Sequence, residues 1–170
     1  DTSTHGRDLR LRSAPAAIVF TAAASAPAVA QGWTACGANR HIMKLAIAQL
    51  NPIVGDNAGN LRRMLEVYQQ VAEEGAALVV FPELSLTGYP PRDLLERHWF
   101  IEQATQAVRE FAAATRQHPK TAALFGAATP TDRQEGRGLH NSALLVGRGT
   151  VLATVHKSLL PTYDVFDEDR

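Results

Sequence analysis

From Met43 onward the sequence predicts an α/β fold built on a mixed sheet. Two observations predict it. Strand-like apolar runs alternate with amphipathic helical patterns, in the order βαβαβ, as far as residue 129. The chain then changes to two strand-like runs joined by the short Gly147-Arg148-Gly149 turn. The first order implies crossovers between parallel strands and the second implies antiparallel pairing. Helices are left to cover one or both faces of the sheet.

Each element has its own signal. "KLAIAQL" (44–50) alternates apolar with polar or small residues and is followed by "NPIVGDNAGN", a loop with Pro52, Gly55 and Gly59. Asn60 is placed to cap a helix whose apolar face runs Leu61, Met64, Leu65, Tyr68, Val71 and Ala72, three and four apart, with Gly75 placed to end it. Leu78, Val79, Val80 and Phe81 read as a core strand that Pro82 ends by withholding its N–H. A helical pattern resumes near Leu94. The second long helix is expected from about Trp99 to Gln117, with Phe100, Ala104, Ala107, Val108 and Phe111 on one side and Pro119 as the stop. "TAALFGAAT" is a third strand, and "GLHNSALLV" and "TVLATVHK" flank the turn as a hairpin.

At 170 residues and 45% hydrophobic content the chain is long enough to bury a core. Seventeen Lys and Arg balance 17 Asp and Glu, with no basic run to anchor phosphates, so nothing points to nucleic acid or an anionic membrane. A single cysteine, Cys36, excludes an intrachain disulfide framework. Residues 1–42 stand apart. "LRLRSAPAAIVFTAAASAPAVAQ" has the outline of a secretory signal peptide: arginines, an Ala-rich apolar run, then Ala28-Val29-Ala30. The preferred reading is that Met43 is the natural start. Residues 1–42 are then a tag, linker or upstream-translated segment outside the fold, because regular patterning begins sharply at Met43. Residues 43–170 form the folded unit, and the expected location is cytoplasmic.

Two charged residues sit at strand mouths. Glu83 follows the Leu78–Phe81 run and precedes the turn residues Thr87-Gly88 and Pro90-Pro91. Lys157 ends the second hairpin strand and enters another proline-containing loop, "HKSLLPTYDVFDEDR". The plain alternative is an exposed glutamate and an exposed lysine, the common state of such residues. Spacing alone does not make the two strands neighbours.

"FPELSLTGYPPRDLL" together with "HKSLLPTYDVFDEDR" resembles the nitrilase, or carbon–nitrogen hydrolase, superfamily, over Met43 to Arg170. PEL and TGY are shared widely in it. PPRDLL and LLPTYDVFDE look more narrowly like the N-terminal glutaminase domains of glutamine-dependent NAD synthetases. The resemblance implies a nitrilase-type α-β-β-α sandwich with mixed sheets, incomplete in this chain. It also implies hydrolysis of glutamine to glutamate and ammonia. The family uses a glutamate, a lysine and a cysteine. A thiolate attacks the carboxamide, a carboxylate takes the thiol proton and returns it to departing ammonia, and an ammonium stabilises the oxyanion. Glu83 matches the base and Lys157 the oxyanion partner. Glu168 matches the supporting glutamate that holds the lysine, and Tyr163 resembles the tyrosine lining the glutamine pocket. The family's nucleophile lies some tens of residues after the lysine, whereas this sequence stops at Arg170, so the triad is expected to be incomplete and the segment inactive alone. Cys36 matches no motif position.

The resemblance implies no cofactor for the glutaminase step. A fused synthetase downstream would use ATP and Mg2+ to amidate deamido-NAD, and a homo-oligomer is expected when complete. A free-standing amidase of the same fold, acting on a small carboxamide, is the alternative. A non-catalytic binding module is the reading from another class. Other constellations are weak. His98, His118, His140 and His156 lack metal-ligand spacing, and Asp164, Asp167 and Asp169 lack that of a calcium loop. Ser85 and Thr87 sit in no nucleophile elbow and are expected to bond the turn.

Overall fold

The computed structural model describes the backbone of residues 16–23 and, with side chains, residues 43–131 and 138–160. Its strands are β1 (Ala16–Ala23), β2 (Ile42–Gln49), β3 (Leu78–Val80), β4 (Ala122–Pro130), β5 (Leu139–Gly147) and β6 (Thr150–His156). Its two long helices are α1 (Asn57–Glu73) and α2 (His98–Ala114). The sheet runs β1-β2-β3-β4-β5-β6. β2, β3 and β4 are parallel, while β4–β5, β5–β6 and β1–β2 are antiparallel. The strand order advances in one direction, so two right-handed crossovers place α1 and α2 on the same face, where they touch. The described residues thus make one mixed sheet under one helical layer.

Several expectations shift in detail. The cap of α1 is Asp56, whose carboxylate accepts the Gly59 N–H at 2.9 Å, and the helix starts four residues earlier than an Asn60 cap would set. Asn60 is instead buried in the first turn. Gly75, at φ +80, closes α1 as expected. The Gly75 N–H bonds the Ala72 carbonyl at 3.0 Å and the Ala76 N–H bonds that of Val71 at 2.9 Å, the paired bonds of a Schellman end. α2 ends at Ala114, and Thr115–Gln117 tighten into a 3-10 turn. In the hairpin Arg148 and Gly149 have φ of +55 and +87, as a type I′ turn requires.

Residues 1–42 were expected to lie outside the fold, and here the structure differs. Ala16–Ala23 pair along the whole of β2, Ala16 opposite Gln49 and Ala23 opposite Ile42. The physical reason is twofold. The outer edge of β2 presents unpaired backbone groups, and "AAIVFTAA" carries the β-branched and aromatic residues that fit a pleated surface. Leader-like composition and strand propensity coincide in this stretch. Cys36 lies outside the described residues. Among those described, no helix is long and apolar enough to cross a membrane.

The core lies between sheet and helices. Alternate residues Ala46, Ala48, Val79, Phe81, Ala123, Phe125, Leu144 and Val146 point toward Leu61, Met64, Val67, Tyr68 and Val71 of α1 and Ala107, Phe111 and Ala112 of α2. Phe111 is its centre. Its ring meets Tyr68, Phe81 and Phe125 edge-on at centroid distances of 5.4, 5.9 and 5.0 Å. The Tyr68 hydroxyl donates to the Thr121 carbonyl at 2.8 Å, tying α1 to the start of β4.

Phe111→Ala is expected to cost about 3–5 kcal/mol, since three aromatic neighbours lose a shared partner. Urea unfolding followed by circular dichroism measures it. Burial raises the Tyr68 pKa from 10.0 to about 12. The folded state therefore holds the phenolic proton more tightly than the unfolded chain. The stabilisation is complete below pH 10 and is lost as pH rises toward 12. Alkaline unfolding, read with tyrosinate absorbance, is expected to lose this component in Tyr68→Phe.

Candidate active site

The β3 exit loop is built to turn hard at Glu83. Phe81 extends the ladder by one bond, its N–H to the Leu124 carbonyl at 2.9 Å, and Pro82 stops it. Leu84 follows with φ +50, a left-handed position that a branched side chain rarely takes. The turn is held by its own residues. Ser85 Oγ donates to the Pro82 carbonyl at 2.6 Å, and the Gly88 N–H bonds that of Leu84 at 2.9 Å. Thr87 Oγ1, fully buried, donates toward the Gly88 carbonyl at 3.2 Å. Ser85 and Thr87 are therefore turn-bonding hydroxyls, as their lack of an elbow motif led one to expect.

The loop leans across β4. A Cβ added to Gly126 would stand 2.7 Å from the Leu84 nitrogen and 3.1 Å from Glu83 Cα, so the Glu83–Leu84 backbone rests where a side chain would otherwise be. Crossing β4 brings Glu83 over β5. There Asn141 Nδ2 donates to Glu83 Oε1 at 2.7 Å. Lys157 arrives from the end of β6: its N–H bonds the Asn141 carbonyl at 2.8 Å, extending the β5–β6 ladder by one step. Its Nζ lies 3.1 Å from Glu83 Oε1. Residues 83 and 157, which spacing alone left apart, are in contact.

The Lys157 and Glu83 side chains are 33% and 51% exposed. A pair that wet contributes at most about 1 kcal/mol to stability, so the convergence is not a device for holding the fold. Chemically it presents a carboxylate with one oxygen accepting two hydrogen bonds and an ammonium beside it. Tyr163 and Glu168 lie outside the described residues, as do Asp164, Asp167 and Asp169. Sequence reasoning missed Asn141 and Gly126. Both became meaningful only through the register of β4 with β5. The histidines are dispersed in role: His98 pairs with Glu102 at 3.1 Å, and His140 stacks on His156 at 4.2 Å. Among the described residues no three His, Cys, Asp or Glu side chains gather as a metal site.

Gly126→Ala is expected to push the Glu83–Leu84 backbone off β4 at a cost of about 1–3 kcal/mol, the range for overpacking a close contact. Chemical denaturation reads the loss, and an unchanged midpoint would show that the loop does not bear on Gly126.

Comparisons with known proteins identify the family. The sequence model of the carbon–nitrogen hydrolase family, described as "Carbon-nitrogen hydrolase", matches residues 44–168. The chain is 43% identical over 129 residues to the glutamine-dependent NAD(+) synthetase of Synechocystis sp., covering 74% of this chain and 23% of that one. Its structure resembles that of glutamine-dependent NAD+ synthetase from Acinetobacter baumannii in complex with adenosine diphosphate. That match has a TM-score of 0.63 and 34% identity, over 74% of this chain and 23% of the other. It also resembles an amidase from Nesterenkonia sp., with a TM-score of 0.61 and 25% identity, over 70% of this chain and 44% of that one. The chain thus spans under a quarter of the length of the synthetases it matches. With the family profile matched over residues 44–168, the chain belongs to the carbon–nitrogen hydrolase family.

Proposed function

We propose that this chain is the leading part of a glutaminase domain that feeds ammonia to a synthetase making NAD. The observation that carries the reading is the meeting of Lys157 Nζ and Glu83 Oε1 at 3.1 Å, across 74 residues of sequence, at the open ends of their strands. Its likeness to glutamine-dependent NAD synthetases supports the choice of substrate.

In the proposed reaction Glu83 takes the proton of a cysteine thiol supplied by a later part of the domain. The thiolate then forms a C–S bond to the glutamine carboxamide carbon. The carbonyl electrons pass to oxygen, and the Lys157 ammonium stabilises that oxyanion. Collapse breaks the C–N bond, Glu83 returns its proton to the leaving nitrogen, and ammonia departs. Water, deprotonated by Glu83, then hydrolyses the thioester to glutamate. Glu168 is assigned to holding Lys157 and Tyr163 to the glutamine pocket. ATP and Mg2+ belong to the later amidation. The described residues do not fit them, since the N-terminus of α1 is closed by the Asp56 carboxylate rather than opened by a glycine-rich loop. A cytoplasmic location and a homo-oligomeric state belong to the same proposal. The similarity to the Nesterenkonia amidase supports a second reading, a free-standing amidase using the same three groups.

In the full-length protein Glu83→Gln and Lys157→Met are each expected to lower glutamine hydrolysis by on the order of a hundredfold or more, with circular dichroism unchanged. Free ammonia is expected to restore NAD synthesis in the Glu83 variant, because only the ammonia source is broken. A folded Glu83 variant with near-normal ammonia release refutes the base assignment. Glutamine hydrolysis without ATP-dependent NAD synthesis selects the free-standing amidase.

A further inference from the structure

We infer that Asn141 is a positioning residue for the general base, fixing which oxygen of Glu83 carries the transferable proton. The inference rests on the glutaminase reading above. Glu83 stands on a loop beyond a three-residue strand and is half exposed, so its side chain has three torsions and little packing to settle them. Two donors settle them instead. Asn141 Nδ2 at 2.7 Å and Lys157 Nζ at 3.1 Å both bond Oε1, and Oε2 receives neither bond.

This asymmetry has a chemical consequence. A carboxylate only accepts, so the amide must present its NH2 group here. When the carboxyl is protonated, one oxygen becomes O–H and the other remains an acceptor. Two donors on Oε1 keep that oxygen the acceptor in both states. The proton taken from a thiol and later given to ammonia therefore resides on Oε2. A neutral amide suits the task, because it orients the carboxylate without adding a second positive charge beside it. Asn141 is also tied to the oxyanion partner by a separate bond: its backbone carbonyl accepts the Lys157 N–H at 2.8 Å. One residue of β5 thus sets base and lysine in a common frame, and substituting its side chain leaves the backbone link in place.

The test uses the full-length protein with glutamine as substrate and ammonia release as the readout. Asn141→Leu keeps the branched outline of the side chain and removes the donor. It is expected to lower kcat about tenfold to a hundredfold with KM little changed, the cost of a misplaced reacting group. Asn141→Asp sets a second carboxylate against Glu83. The acid limb of its kcat/KM profile is expected to move up by about one pH unit or more, because two adjacent carboxylates do not both ionise readily. A protein silenced by Glu83→Gln but fully active as Asn141→Leu overturns this inference alone. So does an Asn141→Leu loss that merely tracks lost folded protein, with the Asp variant's profile unmoved. An unmutated protein that releases no ammonia from any carboxamide overturns the glutaminase reading, and this inference with it.

Discussion

The candidate site depends on how closely the β3 exit loop can approach β4. Adjacent strands of a sheet lie about 4.8 Å apart, so Asn141 on β5 is some two strand spacings from the line of β3, and the end of β6 is farther still. No glutamate side chain spans that distance from β3 itself. The backbone must carry Glu83 sideways over β4, and the position beneath it must have no side chain. Gly126 meets that requirement, with the Leu84 nitrogen 2.7 Å from where its Cβ would stand. The left-handed φ of +50 at Leu84 belongs to the same turn. A strained residue and a missing side chain are thus the two local conditions for one carboxylate position.

The crossing loop needs a fixed base as well as room. Asn60, buried at the start of α1, supplies much of it. Its Nδ2 donates to the carbonyls of Ile53 and Leu86, each at 2.8 Å, and its Oδ1 accepts the Ile53 N–H at 2.9 Å. One amide therefore joins the exit loops of β2 and β3. The Gly55 N–H adds a bond to the Thr87 carbonyl at 2.9 Å, and a Cβ at Gly88 would stand 2.6 Å from Val54 Cα, so the loops touch backbone to backbone. Buried amides bonded on both sides hold their geometry because breaking one bond strands a polar group without water. Rigidity at the site thus begins two elements away, where α1 starts.

The fold from β2 to β6 was readable from sequence because its signals are local. The three- and four-residue spacing on α1 and α2, the Pro82 stop, the Gly75 end and the Gly-Arg-Gly hairpin each depend on a few neighbouring residues. The misplaced cap shows where such reading fails. Asn60 and Asp56 are both good capping residues, and only the tertiary demand of the Ile53 and Leu86 carbonyls for donors decides that Asn60 is used elsewhere. Glu83 and Lys157 were marked by their strand ends and by resemblance. Asn141 carried no such mark, since an asparagine inside a strand pattern is unremarkable until register sets it opposite a glutamate 58 residues earlier. Ala16–Ala23 failed for the opposite reason: one apolar stretch satisfied two descriptions, and pairing with β2 is a property of the edge as much as of the segment.

What remains is the dielectric around the pair. The helices cover one face of the sheet. On the other, Leu45, Val80, Leu124 and Leu145 are only partly buried, while Ile47 and Val155 are 42% and 67% exposed. Glu83 lies on this side, above Gly126. In water-like surroundings a lysine at 3.1 Å from a carboxylate gains little, and would stabilise an oxyanion correspondingly little. The same two charges act far more strongly once water is excluded, because the interaction scales inversely with the effective dielectric. Positioning and electrostatic strength are therefore supplied by different parts of the architecture. The described sheet fixes the directions of the Glu83 carboxylate and the Lys157 ammonium through Gly126, Asn141 and the β5–β6 ladder. In the proposed glutaminase the strength comes from layers that close over the apolar face. That division explains why the Glu83 carboxylate and the Lys157 ammonium can meet in a segment where both are still partly in solvent.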